Sequence, residues 1–227
     1  KKYENPPQIF EEYGDGLNGK ADRKVLIINI SGLAGQELET IKPTNIAALL
    51  KTSKYNFNLV MDAKSSVPAT MASMLTGVSS SKHLINTDSY TPIIVEDDKH
   101  DPLENYPTFL ARMLDVRPEF KTVTITSDPS LSKYMIHADQ RILSANDASV
   151  KDSAVNILKD KNSRVIIADF RSVEAAGVKD GFTAATPAFK SAVETVDGYI
   201  GEMVTTLKAR KDYDKEDWLI IVTTNRG

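Results

Sequence analysis

The sequence predicts an α/β domain, a mostly parallel sheet sandwiched by helices. Three observations carry this. Short apolar, β-branched runs such as Val25-Leu26-Ile27-Ile28 recur along the chain and read as strands buried on both faces. Stretches of helical periodicity separate them. Strands and helices alternate, as in the crossovers that join parallel strands with helices on both sides of a sheet.

Residues 1–23 are polar and broken by Pro6-Pro7, Gly14, Gly16 and Gly19. They read as a surface arm or linker leading into a domain over 24–227. Val25–Ile30 is the first strand and exits at Ser31-Gly32. Pro43 suits the first turn of a short helix that runs to Lys51. Phe57–Met61 is expected as a strand. Pro68–Leu75 is a helix stopped at Thr76-Gly77, with Gly as the terminator. Ser79–Asp101 is polar and reads as a long surface excursion. Thr108–Leu114 is helical, Thr122–Thr126 is a β-branched strand, and Ser130–Tyr134 is one helical turn. Gln140–Leu143 is a short strand. Asp147 caps a helix to Leu158, and Val165–Asp169 is a buried strand. Pro187–Arg210 is a long amphipathic helix in which Phe189, Val193, Val196, Ile200, Met203, Val204 and Leu207 keep helical spacing. Trp218–Thr223 is the last strand, with Trp218 a core residue. An end at Gly227, directly after a strand, reads as a domain truncated at its C-terminus.

The 28 basic residues against 31 acidic ones give a net charge of −3, which argues against a nucleic-acid partner. No apolar run exceeds five residues, whereas a transmembrane helix needs about 20. The sequence has no cysteine, so disulfides, cysteine-ligated zinc and thiol catalysis are excluded. In parallel sheets the active crevice lies beyond the carboxyl ends of the strands. The residues to watch are therefore Ser31-Gly32, Asp62 to Thr70, Thr126 to Asp128, Asp169 to Val178, and Thr224 to Gly227.

Those strand ends carry a resemblance. Ile27-Ile28-Asn29-Ile30-Ser31-Gly32-Leu33 resembles the opening strand of the alkaline phosphatase superfamily, and of its nucleotide pyrophosphatase/phosphodiesterase branch in particular. Pro43 to Leu49 resembles the next helix of that branch. Ser66 to Gly77 resembles the nucleophile helix, and His83 stands where the branch has a histidine after it. Val173 to Val178 resembles the Asp-x-x-Gly-His element, with Val196-Asp197 in the long helix that follows. Ile220 to Gly227 resembles the strand that closes on Ser-Asp-His-Gly. The matches run in the family's order from 24 to 227.

The resemblance implies two zinc ions that stabilise the attacking and leaving oxygens, and a Ser or Thr nucleophile attacking phosphorus or sulfur. Carried across residue by residue, the metal positions are Ser31, Glu174, Val178, Asn225 and Arg226. Of these only Glu174 keeps a metal-binding group, and Arg226 brings a permanent cation. The nucleophile position falls near Val67, with Ser66 and Thr70 the nearest hydroxyls. The implied protein is a catalytically degenerate phosphatase/phosphodiesterase-like domain with no cofactor, a binding or scaffold module of an envelope protein. Two alternatives stand beside it. One is a metal-dependent phosphodiester, phosphomonoester or sulfate-ester hydrolase with an altered zinc site, drawing on Asp62, Asp128, Asp169 or His137. The other is a structural spacer in a larger polypeptide. The resemblance also implies an extracytoplasmic location. The expected partners are an anionic or carbohydrate ligand and a C-terminal second domain beyond this chain.

Each site residue has a plainer reading. Ser66 and Thr70 cap or pack a helix start. Glu174 is a solvated loop carboxylate. Arg226 either clamps an anion or pairs with Glu174. Asp169 and Arg171 form a surface pair, His83 is structural, and His100 is solvated in an acidic loop. Asp197, if it faces inward, must be hydrogen-bonded or paired.

Overall fold

The computed structural model describes residues 22–61, 64–93, 106–160 and 162–226. The first strand, β1, begins at Asp22, two residues inside the expected arm, and runs to Ile30. It is followed by α1 (Gly35–Ile41), α2 (Thr44–Leu50), α3 (Val67–Thr76) and α4 (Ser80–His83). Then come α5 (Phe109–Val116), β2 (Lys121–Thr126), α6 (Pro129–Tyr134), β3 (Gln140–Leu143) and α7 (Asp147–Lys159). The chain closes with β4 (Ser163–Phe170), α8 (Ser172–Asp180), α9 (Pro187–Lys208) and β5 (Glu216–Thr223). Every described strand pairing is parallel, in the order β3-β2-β4-β1-β5. The α/β sandwich read from the sequence is therefore present.

Period-two alternation divides the strand side chains between two cores. Leu26, Ile28 and Ile30 of β1, with Ile166, Ala168 and Phe170 of β4, join the cluster built on α7 and α9. Val25, Ile27, Val165 and Ile167 point the other way, into the cluster with Met71 and Leu75 of α3, Leu110 of α5 and Leu131 of α6. In α9 the predicted stripe is buried at Phe189, Val193, Val196, Ile200, Met203 and Leu207, with Val204 half-buried at its margin. Burying side chains of this size contributes about 1.5–3 kcal/mol each.

Three expectations need correction. Phe57–Met61 is not a strand; it is irregular, with Leu59 and Val60 exposed. It joins no ladder of the sheet, and its backbone lies instead against Gly35, where a Cβ would stand 2.6 Å from Phe57 O. The excursion from Ser79 contains α4 and an antiparallel bridge between Ile85 and Pro92. Residues 172–180, met in the sequence as a motif, form a helix. His100 lies outside the described residues.

Asp197 faces inward and acts as a distant cap. Its carboxylate accepts from the backbone N–H of Asn45 (2.9 Å) and Ile46 (2.7 Å) and from the Asn45 side chain (2.9 Å). These are first-turn donors of α2 that have no partner within their own helix.

At the opposite end of the sheet, Glu216 ties β5 to β1 through a buried ionic knot. Its oxygens meet Lys24 Nζ (3.2 Å), Arg210 Nη2 (2.7 Å) and Trp218 Nε1 (2.8 Å). Arg210 also reaches the carbonyls of Leu158 and Asp160. Burial acts to raise the Glu216 pKa, but hydrogen bonds from Arg210, Trp218 and Lys24 outweigh it and lower the value from 4.5 to about 2. A carboxyl lowered on folding contributes stability above its ordinary value, and that contribution is lost as pH falls toward the folded one. Stability should therefore drop between about pH 4.5 and pH 2 in urea denaturation. Glu216→Gln, which strands two buried cations, should cost about 3–5 kcal/mol at pH 7 and flatten that acid limb.

Candidate functional site at the carboxyl ends of the strands

The β1–β4 register sets Asn29 beside Asp169. Both side chains lie on the face covered by α3, and Thr126 at the end of β2 reaches the same point. Asn29 Nδ2 donates to Asp169 Oδ1 (2.6 Å) and Thr126 Oγ1 donates to Asp169 Oδ2 (2.8 Å). Asn29 Nδ2 also contacts Ser31 Oγ (3.3 Å) and Met71 Sδ (3.4 Å). Asp169 is fully buried, which corrects its reading as half of a surface pair. Burial pushes its carboxyl above the ordinary carboxylate range, against the pull of Arg171 and the hydrogen bonds from Asn29 and Thr126.

Arg171 takes a different partner. Its Nη1 lies 3.0 Å from Asp128 Oδ2, an ion pair without the alignment of a hydrogen bond. Asp128 Oδ1 meanwhile caps α6 through the N–H groups of Ser130 and Leu131. Asp147 receives the N–H groups of Arg171 and Ser172, so a side chain of α7 caps the start of α8.

A second cluster gathers the ends of β1 and β5 with α8. Gly32 has φ +85°, and its N–H donates to Asn225 Oδ1 (3.1 Å). A Cβ on Gly32 would stand 2.5 Å from Glu174 Cα, so only glycine allows the two backbones to meet here. Glu174 is buried and forked by Arg226, with Nη2 to Oε1 at 2.9 Å and Nε to Oε2 at 3.3 Å. The guanidinium lies over the Phe182 ring, 4.1 Å from its centroid. Of the residues at the five metal positions, Ser31, Glu174, Asn225 and Arg226 thus come to the strand ends. Val178 does not: the buried side of α8 runs through Val173, Glu174 and Gly177, and Val178 is 70% exposed.

Ser66 is the N-cap of α3. Its hydroxyl accepts from Ala69 N–H (3.4 Å) and lies 2.8 Å from Asn86 Oδ1, to which it donates. Thr70 turns its hydroxyl back onto the carbonyls of Ser66 (3.2 Å) and Val67 (3.1 Å) of its own helix. His83 is buried; its Nδ1 accepts from Ile85 N–H (3.0 Å), which leaves Nε2–H to donate to Ser73 Oγ (2.9 Å). His137 lines a separate cavity with Tyr90 and Tyr134. Asp62 lies outside the described residues.

These residues do not fit a zinc pair. Among the described residues, no three His, Asp or Glu side chains converge to hold a metal ion. The carboxylates at the strand ends are instead committed to Arg226, Arg171, helix N–H groups and the Asn29–Thr126 pair.

Several of these partners escaped the sequence reading, among them Asn29, Asn86 and Phe182, while Asp147, expected as the cap of its own helix, follows the true N-cap Asn146 and caps α8 instead. Only Asn29 left a signal, as a polar residue inside an otherwise apolar strand run.

The fold matches solved structures. Murine ectonucleotide pyrophosphatase/phosphodiesterase 5 superposes with a TM-score of 0.68 at 16% identity, over 89% of this chain and 57% of that one. The chain has the fold of the alkaline phosphatase superfamily. A 2-O GAG sulfatase gives 0.66 at 10% identity, over 90% of this chain and 58% of that one. A Vibrio parahaemolyticus protein of the alkaline phosphatase superfamily gives 0.62 at 14% identity, over 90% and 54%. The chain thus spans a little over half the length of these structures. No protein-family model matches the sequence, and a search of curated proteins finds no match.

Two variants test the packing of this alkaline-phosphatase-like end. Gly32→Ala combines a left-handed backbone with a backbone clash and should lower stability by at least about 2 kcal/mol in chemical denaturation. Asp169→Asn should be at least as stable as the parent at pH 7. A buried carboxyl with a raised pKa is most stabilising below its ordinary value of 3.8 and loses that contribution as pH rises through the folded one. Any gain in the variant should therefore vanish toward about pH 3.8. A large loss at pH 7 would show that the ionised form is the one the fold uses.

Proposed function

We propose that this chain is a catalytically degenerate phosphatase/phosphodiesterase-like domain serving as a binding or scaffold module of an extracytoplasmic protein. The observation that carries the reading is the Glu174–Arg226 fork. Glu174 is the carboxylate that the family resemblance assigns to metal, and here a guanidinium neutralises it at 2.9 Å. A permanent cation at that point repels a divalent ion. Arg226 remains the anion-binding candidate of the cluster, and an anion bound there would compete with Glu174.

One observation favours a second reading, a hydrolase with an altered metal site. Ser66 stands at the N-terminus of the ten-residue helix α3, where the helix dipole favours an anion.

The deciding experiment is metal analysis of the purified protein after incubation with zinc and dialysis, beside assays with bis(p-nitrophenyl) phosphate and p-nitrophenyl sulfate. The degenerate reading expects no stoichiometric zinc and no turnover. Two tightly held ions per chain, or turnover abolished by Ser66→Ala, would replace it with the second reading.

A further inference from the structure

A cavity of about 450 Å³ opens beside the strand ends, between the segment 88–91, the start of α5 and α6. That volume lies in the range of small-molecule clefts. It is separate from the Glu174–Arg226 cluster and shares none of its residues.

Tyrosine builds its walls. Tyr90 and Tyr134 stack on each other, with centroids 4.7 Å apart and planes at 22°, and Tyr106 lines another side. Tyr90 is 4% exposed and carries φ +52°, a backbone state that bulky residues rarely adopt. The turn hydrogen bond from its N–H to Thr87 O (2.9 Å) and the stack on Tyr134 hold it there. The ring is therefore fixed before any ligand arrives, which lowers the ordering cost of binding. Strain of this kind concentrates at ligand sites.

The rim supplies the polar chemistry. Asp88, Lys133 and His137 border the cavity, and none makes a hydrogen bond or ion pair among the described residues. Lys82 lies 5.9 Å from the Tyr106 ring and adds a second ammonium close by. Asp128, close to Tyr90, is already paired with Arg171, so the charges left for a ligand are the Lys133 ammonium on the rim and Lys82 beside Tyr106 against the Asp88 carboxylate, which favours a ligand of negative charge. Tyr90 and Tyr134 are in mutual contact, which leaves no slot between them for a flat base. A sugar ring needs no slot: it lays one C–H face on a single aromatic ring and directs hydroxyls outward. Asp88 can accept from such hydroxyls, while Lys133 and His137 can donate to hydroxyl and carboxylate oxygens.

We propose that this tyrosine-walled cavity binds an acidic sugar, a hexuronate as a monosaccharide or chain end. The proposal gives the binding-module reading its ligand class and rests on that reading. Calorimetric titration of the whole chain with glucuronate, glucose and adenosine monophosphate tests it. Glucuronate should bind at least threefold tighter than glucose. Lys133→Ala, an exposed substitution that leaves the fold alone, should erase that preference. Tyr106→Ala should weaken glucuronate at least tenfold, and Arg226→Ala should leave it unchanged. Absence of sugar binding by the folded protein would overturn the proposal. So would full binding by both cavity variants, tighter binding of the nucleotide, or a loss caused by Arg226→Ala. Zinc retention by the same preparation would separately count against the degenerate reading, so the two failures are distinguishable.

Discussion

The pairing of β1 with β4 is the constraint from which the rest of the molecule follows. Its register, Val25 to Ile30 against Val165 to Phe170, fixes which side chains face each core. A slip of one residue would turn Leu26, Ile28 and Ile30 to the opposite face and leave neither core with its present residues. The same register places Asn29 against Asp169 and brings the polar residues that follow both strands to one end of the sheet. The apolar core and the polar strand ends are two consequences of a single alignment.

Burial of charge is the second theme, and the molecule answers it differently at each carboxylate. Asp147 and Asp197 lie against the first turns of helices in other parts of the chain, where N–H groups need acceptors. Glu216 collects two cations and an indole N–H. Glu174 is held by one guanidinium that is itself seated on Phe182. Asp169 has neutral hydrogen-bond donors only, and burial pushes its carboxyl above the ordinary range. In a two-metal site such carboxylates would be gathered around a common ion. Here each is satisfied where it stands.

A shared fold carries no activity with it, because chemistry belongs to the residues set on the scaffold. The superposition on a phosphodiesterase and a sulfatase establishes the fold alone. The side chains at the strand ends decide what the architecture does. Here they form ion pairs and caps, while the aromatic and unpaired polar groups that suit a ligand line a neighbouring cavity.

The sequence by itself determined most of the framework. The apolar runs of β1, β4 and β5 and the spaced stripe of α9 are strong local signals, since burial on one or two faces writes its period directly into the residue order. The resemblance pointed to the strand ends, and the structure sets Gly32 against Asn225 and Glu174 against Arg226 there without testing their roles. Phe57–Met61 has the composition of a strand, but composition does not decide pairing, and this segment joins no ladder. The partners of the site were likewise invisible in order of sequence. Asp169 and Asn29 are 140 positions apart, as Glu174 and Arg226 are 52 apart. Residue types and local periods are properties of the chain. Which carboxylate meets which cation, and which meets none, is set by a register that exists only once the sheet has formed.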